Sequence, residues 1–231
     1  MQKKECTFVG SRLIHKGRFL SFVEKDYEIT DNGKTSKYSW ETILYNIKSS
    51  NKKVNYAVCV IPIIKNTSKV IIISNFRYAV GKKCLEFPSG IIDQSDSTEN
   101  EEVEDLIIRS CARELKEETG YTGTFRRTMT LPKLNVSDGV NVLSSVYADP
   151  WKSVDCSIYC IFDVEPKEDD KQELDECEII EKYEVELDNL LEFITEKISK
   201  ENYGCATDLY SFAFGYNFKN MWLILFLLGV Y

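Results

Sequence analysis

The segment RELKEETGY, residues 113–121, forms the end of a predicted helix and carries three glutamates. Apolar residues recur at intervals of three and four across residues 103–119, which is the period of an α-helix. Gly120 follows at the position where a helix C-cap is expected, because glycine adopts the left-handed conformation without a steric penalty. The pattern therefore predicts one helix over residues 103–119 that stops at Gly120.

Glu114, Glu117 and Glu118 fall on one face of this helix. Like charges on such a face repel by roughly 0.2 to 0.5 kcal/mol per pair unless a cation lies between them. Mg²⁺ and Mn²⁺ suit the face, since they bind carboxylate oxygens and keep substrate phosphates as their remaining ligands. The alternative is a solvated helix whose glutamates pair with basic neighbours such as Arg113. The strand and Pro-Ser-Gly turn upstream favour the metal site, because they would bring the Ser89 carbonyl to the same face.

Strand patterns surround the helix and indicate a mixed α/β chain of the α+β class. Residues 54–64 and 69–76 are β-branched runs separated by a polar turn, which predicts a hairpin of buried strands. Near the N-terminus, apolar stretches at 19–23 and 27–29 and the turn signal Asp31-Asn32-Gly33 predict another hairpin.

Further elements are predicted downstream of the helix: strands at 142–147 and 157–164, an acidic loop at 165–178, and helices at 187–199 and 207–218. No internal repeat or low-complexity linker divides the chain. We therefore expect an N-terminal β extension over residues 1–53 and one larger domain over residues 54–231.

Charge and residue usage exclude several classes of protein. The chain has 29 Lys and Arg against 37 Asp and Glu, and its net charge of −8 argues against nucleic acid or an anionic membrane as the main partner. His15 is the only histidine, which excludes a multi-histidine zinc site and argues against a histidine-based catalytic triad. Eight scattered cysteines without CxxC pairs, and an N-terminus without an apolar signal segment, favour a cytoplasmic protein with reduced thiols. The apolar run at 221–231 is about half the ~20 residues of a membrane-spanning helix, so we expect no membrane attachment.

The segment 113–121 resembles the second half of the Nudix box, whose pattern is G-x5-E-x7-R-E-U-x-E-E-x-G-U with U apolar, and it matches every specified position if Tyr121 counts as U. The first half departs from the pattern, since Gly90 lies 23 positions before Arg113, nine more than the pattern allows. Three acidic residues remain candidates for the early glutamate of the box: Asp96, Glu99 and Asp105.

Similarity to the ADP-ribose and ADP-sugar pyrophosphatase branch of this superfamily extends over most of the chain. It is carried by short motifs, including Ser39-Trp40-Glu41, Asn75-Phe76-Arg77 and Leu85-Glu86-Phe87-Pro88-Ser89-Gly90. The resemblance implies the Nudix fold, a mixed β-sheet between helices, with an N-terminal antiparallel β extension exchanged across a homodimer. It also implies hydrolysis of ADP-ribose or a related ADP-sugar to AMP and a sugar phosphate, with Mg²⁺ (Mn²⁺ possible) and more than one ion per site.

The same resemblance assigns roles residue by residue. It gives metal binding to Glu114, Glu118 and Glu117, with Ser89 as an additional ligand, and a catalytic orienting role to Arg113. Substrate binding falls to Trp40, Glu41, Phe19, Arg77, Glu86 and Asp149. The first three would contact the adenine, Arg77 and Glu86 the phosphate and metal region, and Asp149 the terminal ribose.

Hydrolysis also needs a general base to take the proton of the attacking water. The branch uses a glutamate on an acidic loop after the box, and its match here is Glu178, with Glu181 and Glu176 as alternatives. Two other functions stay open: a Nudix hydrolase for a dinucleotide or a coenzyme A derivative, and a nucleotide-binding module that has lost hydrolysis. The Trp40-Glu41 pair argues against the former, and the intact glutamates argue against the latter.

Overall fold

The computed structural model describes residues 4–46, 57–92, 102–129, 134–135, 141–142, 146–153, 156–167 and 170–227. The strands are β1 (Glu5–Lys16), β2 (Leu20–Asp31), β3 (Lys34–Tyr45), β4 (Ala57–Ile64), β5 (Lys69–Arg77), β6 (Lys82–Glu86), β7 (Ser89–Ile91), β8 (Gly123–Thr128), β9 (Leu134–Asn135), β10 (Asn141–Val142), β11 (Val146–Tyr147), β12 (Cys156–Val164), β13 (Ile180–Glu186) and β14 (Gly204–Cys205). The helices are α1 (Val103–Thr119), α2 (Leu190–Glu201) and α3 (Thr207–Leu227), and a 3-10 turn at Leu187–Asn189 leads into α2.

One structural unit consists of Met1–Tyr56 together with Val146–Ser157. Its centre is an antiparallel sheet in the order β1-β2-β3. The turn at Asn32-Gly33 has φ angles of 52° and 76°, which is the geometry of a tight hairpin turn and confirms the turn signal. The strands differ from the sequence-based hairpin, because both apolar stretches, at 19–23 and 27–29, belong to β2 and the partner across the turn is β3.

The second unit consists of Ala57–Ser145 and Ile158–Tyr231. It contains a mixed sheet in which β12, β4, β5, β6 and β14 are successive neighbours, with β7, β8 and β13 pairing alongside. The predicted hairpin of buried strands is confirmed as β4 and β5, and β13 also pairs antiparallel with β5 over seven residues. This second pairing carries the acidic segment 165–178 back toward α1, which packs against β13 as well as β4 and β7.

The core of this unit lies on both faces of the sheet. Cys59, Ile61, Val70 and Ile72 pack in one buried cluster with residues of α2 and α3 such as Leu209. Side chains alternate along a strand, so the neighbouring core residues face the other side; they are Val58, Val60, Ile71 and Ile73, all fully buried. Burial on both faces explains why β4 and β5 read as continuous apolar runs.

The helices agree closely with the sequence patterns. Helix α1 has the predicted bounds and ends at Gly120, whose φ of +79° is the left-handed cap conformation. Helix α2 starts after a 3-10 turn, and α3 continues beyond the predicted residue 218 to Leu227. In the part of the chain that the structure describes, no helix combines the length and apolar character needed to cross a membrane. The loop at 93–101, with Asp96 and Glu99, lies outside the described residues, whereas Asp105 lies in the first turn of α1.

Candidate active site

Two carboxylates on α1 are buried side by side. Glu114 is 8% exposed and Glu118 is 3% exposed, one helical turn apart. The Oε2 atom of Glu118 accepts a hydrogen bond of 2.8 Å from the backbone N–H of Ser89. Ser89 therefore meets the helix, as expected from the sequence, but the contact to Glu118 is made by its amide group.

Strand β7 contacts this face of α1 with each of its three residues. Besides the Ser89 amide, the carbonyl of Ile91 accepts a hydrogen bond from Nη2 of Arg113 at 3.2 Å. Between them, Gly90 lies so close to Glu114 that a Cβ atom at this position would stand 2.0 Å from Oε1 of that carboxylate. A glycine is required here because any side chain would occupy the space of the Glu114 carboxylate.

Burial makes the charged form of both glutamates unfavourable. It raises the pKa of Glu114 to about 7 and the pKa of Glu118 to about 8. Arg113 opposes the shift at Glu114, and the Ser89 amide opposes the shift at Glu118. Each pKa is raised further by the charge of nearby carboxylates, among them Glu178. The local positive charge is therefore insufficient to keep both groups ionised at neutral pH.

Arg113 contacts the carboxylates of Glu114 and Glu117, in addition to the Ile91 carbonyl. Its Nη1 atom donates to Oε2 of Glu117 at 2.7 Å, and its Nη2 atom lies 2.8 Å from Oε1 of Glu114. The guanidinium thus fixes the orientation of two carboxylates that the sequence assigns to metal binding.

Arg77 and Glu86 form a second pair of opposite charge at the ends of β5 and β6. Nε of Arg77 donates to Oε1 of Glu86 at 2.7 Å, and Nη2 bonds to Oε2, so the contact is bidentate. The Glu86 side chain is 10% exposed and the Arg77 side chain is 44% exposed. The positive charge of Arg77 lowers the pKa of Glu118, so the pair lies close enough to act on the carboxylates of α1.

Among the three glutamates proposed as general base, the structure distinguishes Glu178. Its charge raises the pKa of both Glu114 and Glu118, so it lies within electrostatic range of the buried carboxylates. Glu181 instead accepts hydrogen bonds from Nζ of Lys83 at 2.5 Å and from the hydroxyl of Tyr183 at 2.8 Å. Glu176 is exposed in the same segment.

The predicted adenine-binding residues belong to the N-terminal unit, Met1–Tyr56 with Val146–Ser157. Trp40 is 59% exposed, and its indole N–H donates to the carbonyl of Trp151 at 2.8 Å. Phe19 is 68% exposed and lies beneath the guanidinium of Arg18. A cavity of about 400 Å³ opens beside Phe19. Glu41, next to Trp40 on β3, is also exposed.

Phe19 and Trp40 are far apart within one chain. Trp40 pairs with Lys25 of β2, which is six residues along the chain from Phe19. At 3.3 Å per residue this separation is roughly 20 Å. Two rings that stack on one base each lie within about 7 Å of it. One chain therefore cannot sandwich a single adenine between these two side chains.

Asp149 lies in a turn of the N-terminal unit. Its carboxylate is 2.5 Å from Nζ of Lys152, and its carbonyl accepts from the amides of Lys152 and Ser153.

The carboxylates on α1 are suitable ligands for a hard divalent cation. Within the described ranges, no three His, Cys, Asp or Glu side chains converge into a formed metal site. The carboxylates of Glu114 and Glu118 nevertheless supply the oxygen donors that Mg²⁺ and Mn²⁺ prefer. Burial raises the pKa of both groups, and neighbouring carboxylates raise it further, so a bound cation would stabilise their charged forms.

Sequence patterns did not single out the residues that fasten the acidic segment to α1. Gln172 donates through Nε2 to the carbonyl of Glu118 at 2.6 Å, and Lys182 donates through Nζ to the carbonyl of Thr119 at 2.8 Å. A polar residue in an acidic loop gives no local signal of such a contact, which depends on the pairing of β13 with β5.

Comparison with known proteins identifies several relatives of this chain. No family model matches the chain. The chain is 37% identical to mouse ADP-sugar pyrophosphatase over 117 residues, which span 49% of this chain and about half (47%) of the mouse protein. It is 26% identical to the ADP-ribose pyrophosphatase of Bacillus subtilis over 90% of this chain and 91% of that protein.

Fold and family follow from two further matches. A solved structure of an ADP compounds hydrolase matches with a TM-score of 0.56, covering 92% of this chain and 94% of that one. The sequences are 18% identical, so this likeness concerns the fold alone. It confirms the predicted Nudix architecture. A protein of Schizosaccharomyces pombe described as a Nudix hydrolase is 30% identical over 182 residues, 76% of each chain. The chain belongs to the Nudix hydrolase family.

Proposed function

We propose that the protein hydrolyses the diphosphate bond of ADP-ribose or a related ADP-sugar, releasing AMP and a sugar phosphate, in the presence of Mg²⁺ or Mn²⁺. The observation that carries the proposal is the buried pair Glu114 and Glu118 on α1, with Arg113 and Arg77 nearby. The names of the mouse and Bacillus subtilis relatives support the choice of substrate.

Different residues of the chain have different roles in the proposed reaction. Glu114 and Glu118 would hold the metal, with Glu117 and Ser89 as further ligands. A divalent ion bound there would neutralise charge on the phosphoryl oxygens and make bound water more acidic. Arg113 keeps Glu114 and Glu117 oriented through the two contacts described above.

Glu178 takes the proton from the attacking water. Its half-buried side chain lies within electrostatic range of Glu114 and Glu118, since its charge raises the pKa of both. Glu181 is less suited to this role, because its carboxylate forms an ion pair with Lys83 and also accepts from Tyr183, whereas the Glu178 carboxylate accepts from the backbone amide of Asp175. Arg77, held in place by Glu86, binds the diphosphate, since a guanidinium matches phosphate oxygens in a bidentate geometry. Asp149 binds the terminal ribose.

The assay that tests this function uses purified protein with ADP-ribose, NAD⁺, a dinucleoside polyphosphate and coenzyme A in parallel. We expect the highest kcat/KM for an ADP-sugar, with AMP and ribose 5-phosphate as products of ADP-ribose. Activity should disappear with a chelator and return when Mg²⁺ or Mn²⁺ is added in excess. Faster turnover of coenzyme A or NAD⁺ would assign another substrate, and tight binding without turnover of any compound would identify a nucleotide-binding module.

The adenine binds between Trp40 of one subunit and Phe19 of another in a homodimer, with Glu41 contacting the adenine edge. The roughly 20 Å between these side chains in one chain supports this arrangement, because it prevents both from stacking on the same base. Both rings are exposed and so available for stacking.

Removing one ring tests the shared adenine pocket. Trp40→Ala is expected to raise KM for ADP-ribose about tenfold or more with little change in kcat, because stacking of a base on an aromatic ring contributes ~1–3 kcal/mol. Tyr38→Ala is the matched control, since Tyr38 is an exposed aromatic two residues earlier on the same strand. Light scattering should give the mass of a dimer. An active monomer, or equal effects of the two substitutions, would contradict the shared pocket.

The location of the protein is proposed from its thiols. All eight cysteines lie among the described residues, and none of them forms a disulfide. Free cysteines persist in a reducing compartment, and we assign the protein to the cytoplasm.

A further inference from the structure

The end of helix α1 accepts hydrogen bonds from the acidic segment and from the start of β13. The last carbonyls of a helix have no partner within the helix and need donors from elsewhere. Three consecutive carbonyls accept from one stretch of chain: Glu117 from the amide of Glu173 at 2.8 Å, Glu118 from Nε2 of Gln172 at 2.6 Å, and Thr119 from Nζ of Lys182 at 2.8 Å. The segment from 170 to 182 is thus bound to the helix that carries the glutamate pair.

Gly120 allows the segment to approach this closely. A Cβ atom at Gly120 would lie 2.7 Å from the carbonyl carbon of Lys171 and 2.8 Å from that of Asp170. Backbone atoms cannot move aside as the tip of a side chain can. The glycine therefore serves both the left-handed helix cap and the close contact with the segment.

The segment then leads directly to Glu178. The amide of Asp175 donates to Oε2 of Glu178 at 3.0 Å, and the amide of Glu178 donates to the carbonyl of Asp175 at 3.0 Å. The hydroxyl of Tyr78 donates to the carbonyl of Cys177 at 3.1 Å. These bonds fix the local shape around Glu178, and the hydrogen bonds of Gln172, Glu173 and Lys182 described above connect the segment to α1.

We propose that Gln172 is a positioning residue that sets the distance between Glu178 and the carboxylates of α1. This inference rests on the proposed function, in which Glu178 is the general base. The amide nitrogen of Gln172 lies within hydrogen-bond distance of two carbonyls, that of Glu118 on the helix and that of Ile180, 3.4 Å away, at the start of β13. It therefore joins the metal-binding helix to the chain on the far side of Glu178.

Loss of the hydrogen bond from Gln172 to the Glu118 carbonyl should release the segment from α1. The bond of Glu173 is made by its backbone N–H and so does not depend on its side chain. Lys182 belongs to β13, whose pairing with β5 holds it in place. Gln172 lies outside any strand, so no strand pairing reinforces its side-chain bond to the helix.

The test compares two substitutions of similar length. Gln172→Met removes the donor and is expected to lower kcat for ADP-ribose about ten- to a hundredfold, because a displacement near 1 Å of a catalytic group can cost that much. KM should stay within about threefold, since Gln172 contacts none of the proposed substrate-binding side chains. Gln172→Lys keeps a donor near the helix C-terminus, where positive charge is favourable, and should restore kcat to within about threefold of the parent.

Lys65→Met is the matched control. Lys65 pairs with Glu165 at 2.6 Å, at the beginning of the same acidic segment, and this contact does not involve α1. We expect kcat of this variant to match the parent protein. A fall in kcat equal to that of Gln172→Met would show that any disturbance of the segment suffices, and would overturn the specific role of Gln172.

Hydrogen exchange provides a readout that does not depend on turnover. The amides of residues 170–178 are expected to exchange faster in Gln172→Met than in the parent or in Lys65→Met. Unchanged exchange, or an unchanged kcat in an active parent, would overturn the proposal. A parent without hydrolytic activity would instead refute the proposed function, and the exchange comparison would still decide whether Gln172 fastens the segment.

Discussion

Replacing Glu118 by glutamine is expected to lower kcat for ADP-ribose by about a thousandfold and, at the same time, to stabilise the protein in the absence of metal. A divalent ion at the reacting phosphate contributes several kcal/mol to the transition state, and each ~1.4 kcal/mol corresponds to a factor of ten in rate. Glu118 is the more deeply buried of the two carboxylates, so its loss should disturb the ion strongly. Steady-state kinetics with excess Mg²⁺ measure this effect.

The stability effect has the opposite sign because the buried charge is unfavourable. The pKa of Glu118 is raised from 4.5 to about 8 in the folded protein. A raised pKa means that ionisation opposes folding, so the cost is absent below about pH 4.5, grows as pH rises, and is complete above about pH 8. Glutamine still accepts the Ser89 amide but carries no charge. The melting temperature at pH 8 should therefore rise by at least about 2 °C, and the gain should vanish near pH 4.

Controls separate these two effects. Glu117→Gln alters a side chain that is 36% exposed, so metal-free stability should not increase even though activity falls. Glu178→Gln should reduce kcat about a hundredfold, which is within the usual range for a general base and less than the loss for Glu118→Gln. Equal losses for Glu118→Gln and Glu178→Gln would show that the roles assigned to the two residues are wrong. A lower metal-free melting temperature in Glu118→Gln would show that the Glu118 carboxylate is compensated by the protein itself.

Gly90→Ala is expected to reduce kcat about a hundredfold with a loss of unfolding free energy below about 1 kcal/mol. The added methyl would stand 2.0 Å from Oε1 and 2.5 Å from Oε2 of Glu114, so the carboxylate must leave its place. The end of a flexible side chain moves at little cost to stability. Its new position, however, removes one metal ligand, and losing a well-placed charged group commonly costs about 10²-fold or more in rate. Kinetics and thermal unfolding on the same preparation measure both quantities.

Gly215→Ala provides the matched control for adding a methyl group. A Cβ atom at Gly215 meets nothing within 4 Å, and the residue lies inside α3. Alanine is favoured over glycine in a helix by about 1 kcal/mol, so this variant should be slightly more stable and fully active. If Gly90→Ala kept its activity, or if it unfolded at a much lower temperature, Glu114 would not be the group displaced or would not be needed for turnover.

Local sequence was enough to predict α1, its end and the face that carries the glutamates. Helical period, charge spacing and the glycine cap are all contained within about five turns, and the structure has the predicted bounds. The hairpin of β4 and β5 was also predictable, because continuous β-branched runs on either side of a polar turn have few other solutions.

The N-terminal strands show where this reasoning failed. Charged residues at 24–26 separate the apolar stretches at 19–23 and 27–29, yet β2 continues through all of them. Strand β2 lies between β1 and β3 and is held by backbone hydrogen bonds on both edges. Those bonds do not depend on side-chain polarity, so the pattern of side chains could not reveal the continuous strand.

The tertiary structure was also needed to choose the candidate general base among the acidic residues of the loop. Glu178 and Glu181 have the same chemistry and differ by three positions, so no local pattern separates them. Lys83, 98 residues away from Glu181, binds that glutamate, while the pairing of β13 with β5 brings Glu178 toward α1. The contact of Gln172 with Glu118 similarly joins residues 54 positions apart. Signals within a few helical turns thus specify the face of α1 that carries the glutamates, whereas long-range strand pairing selects which of several equivalent side chains lies near it.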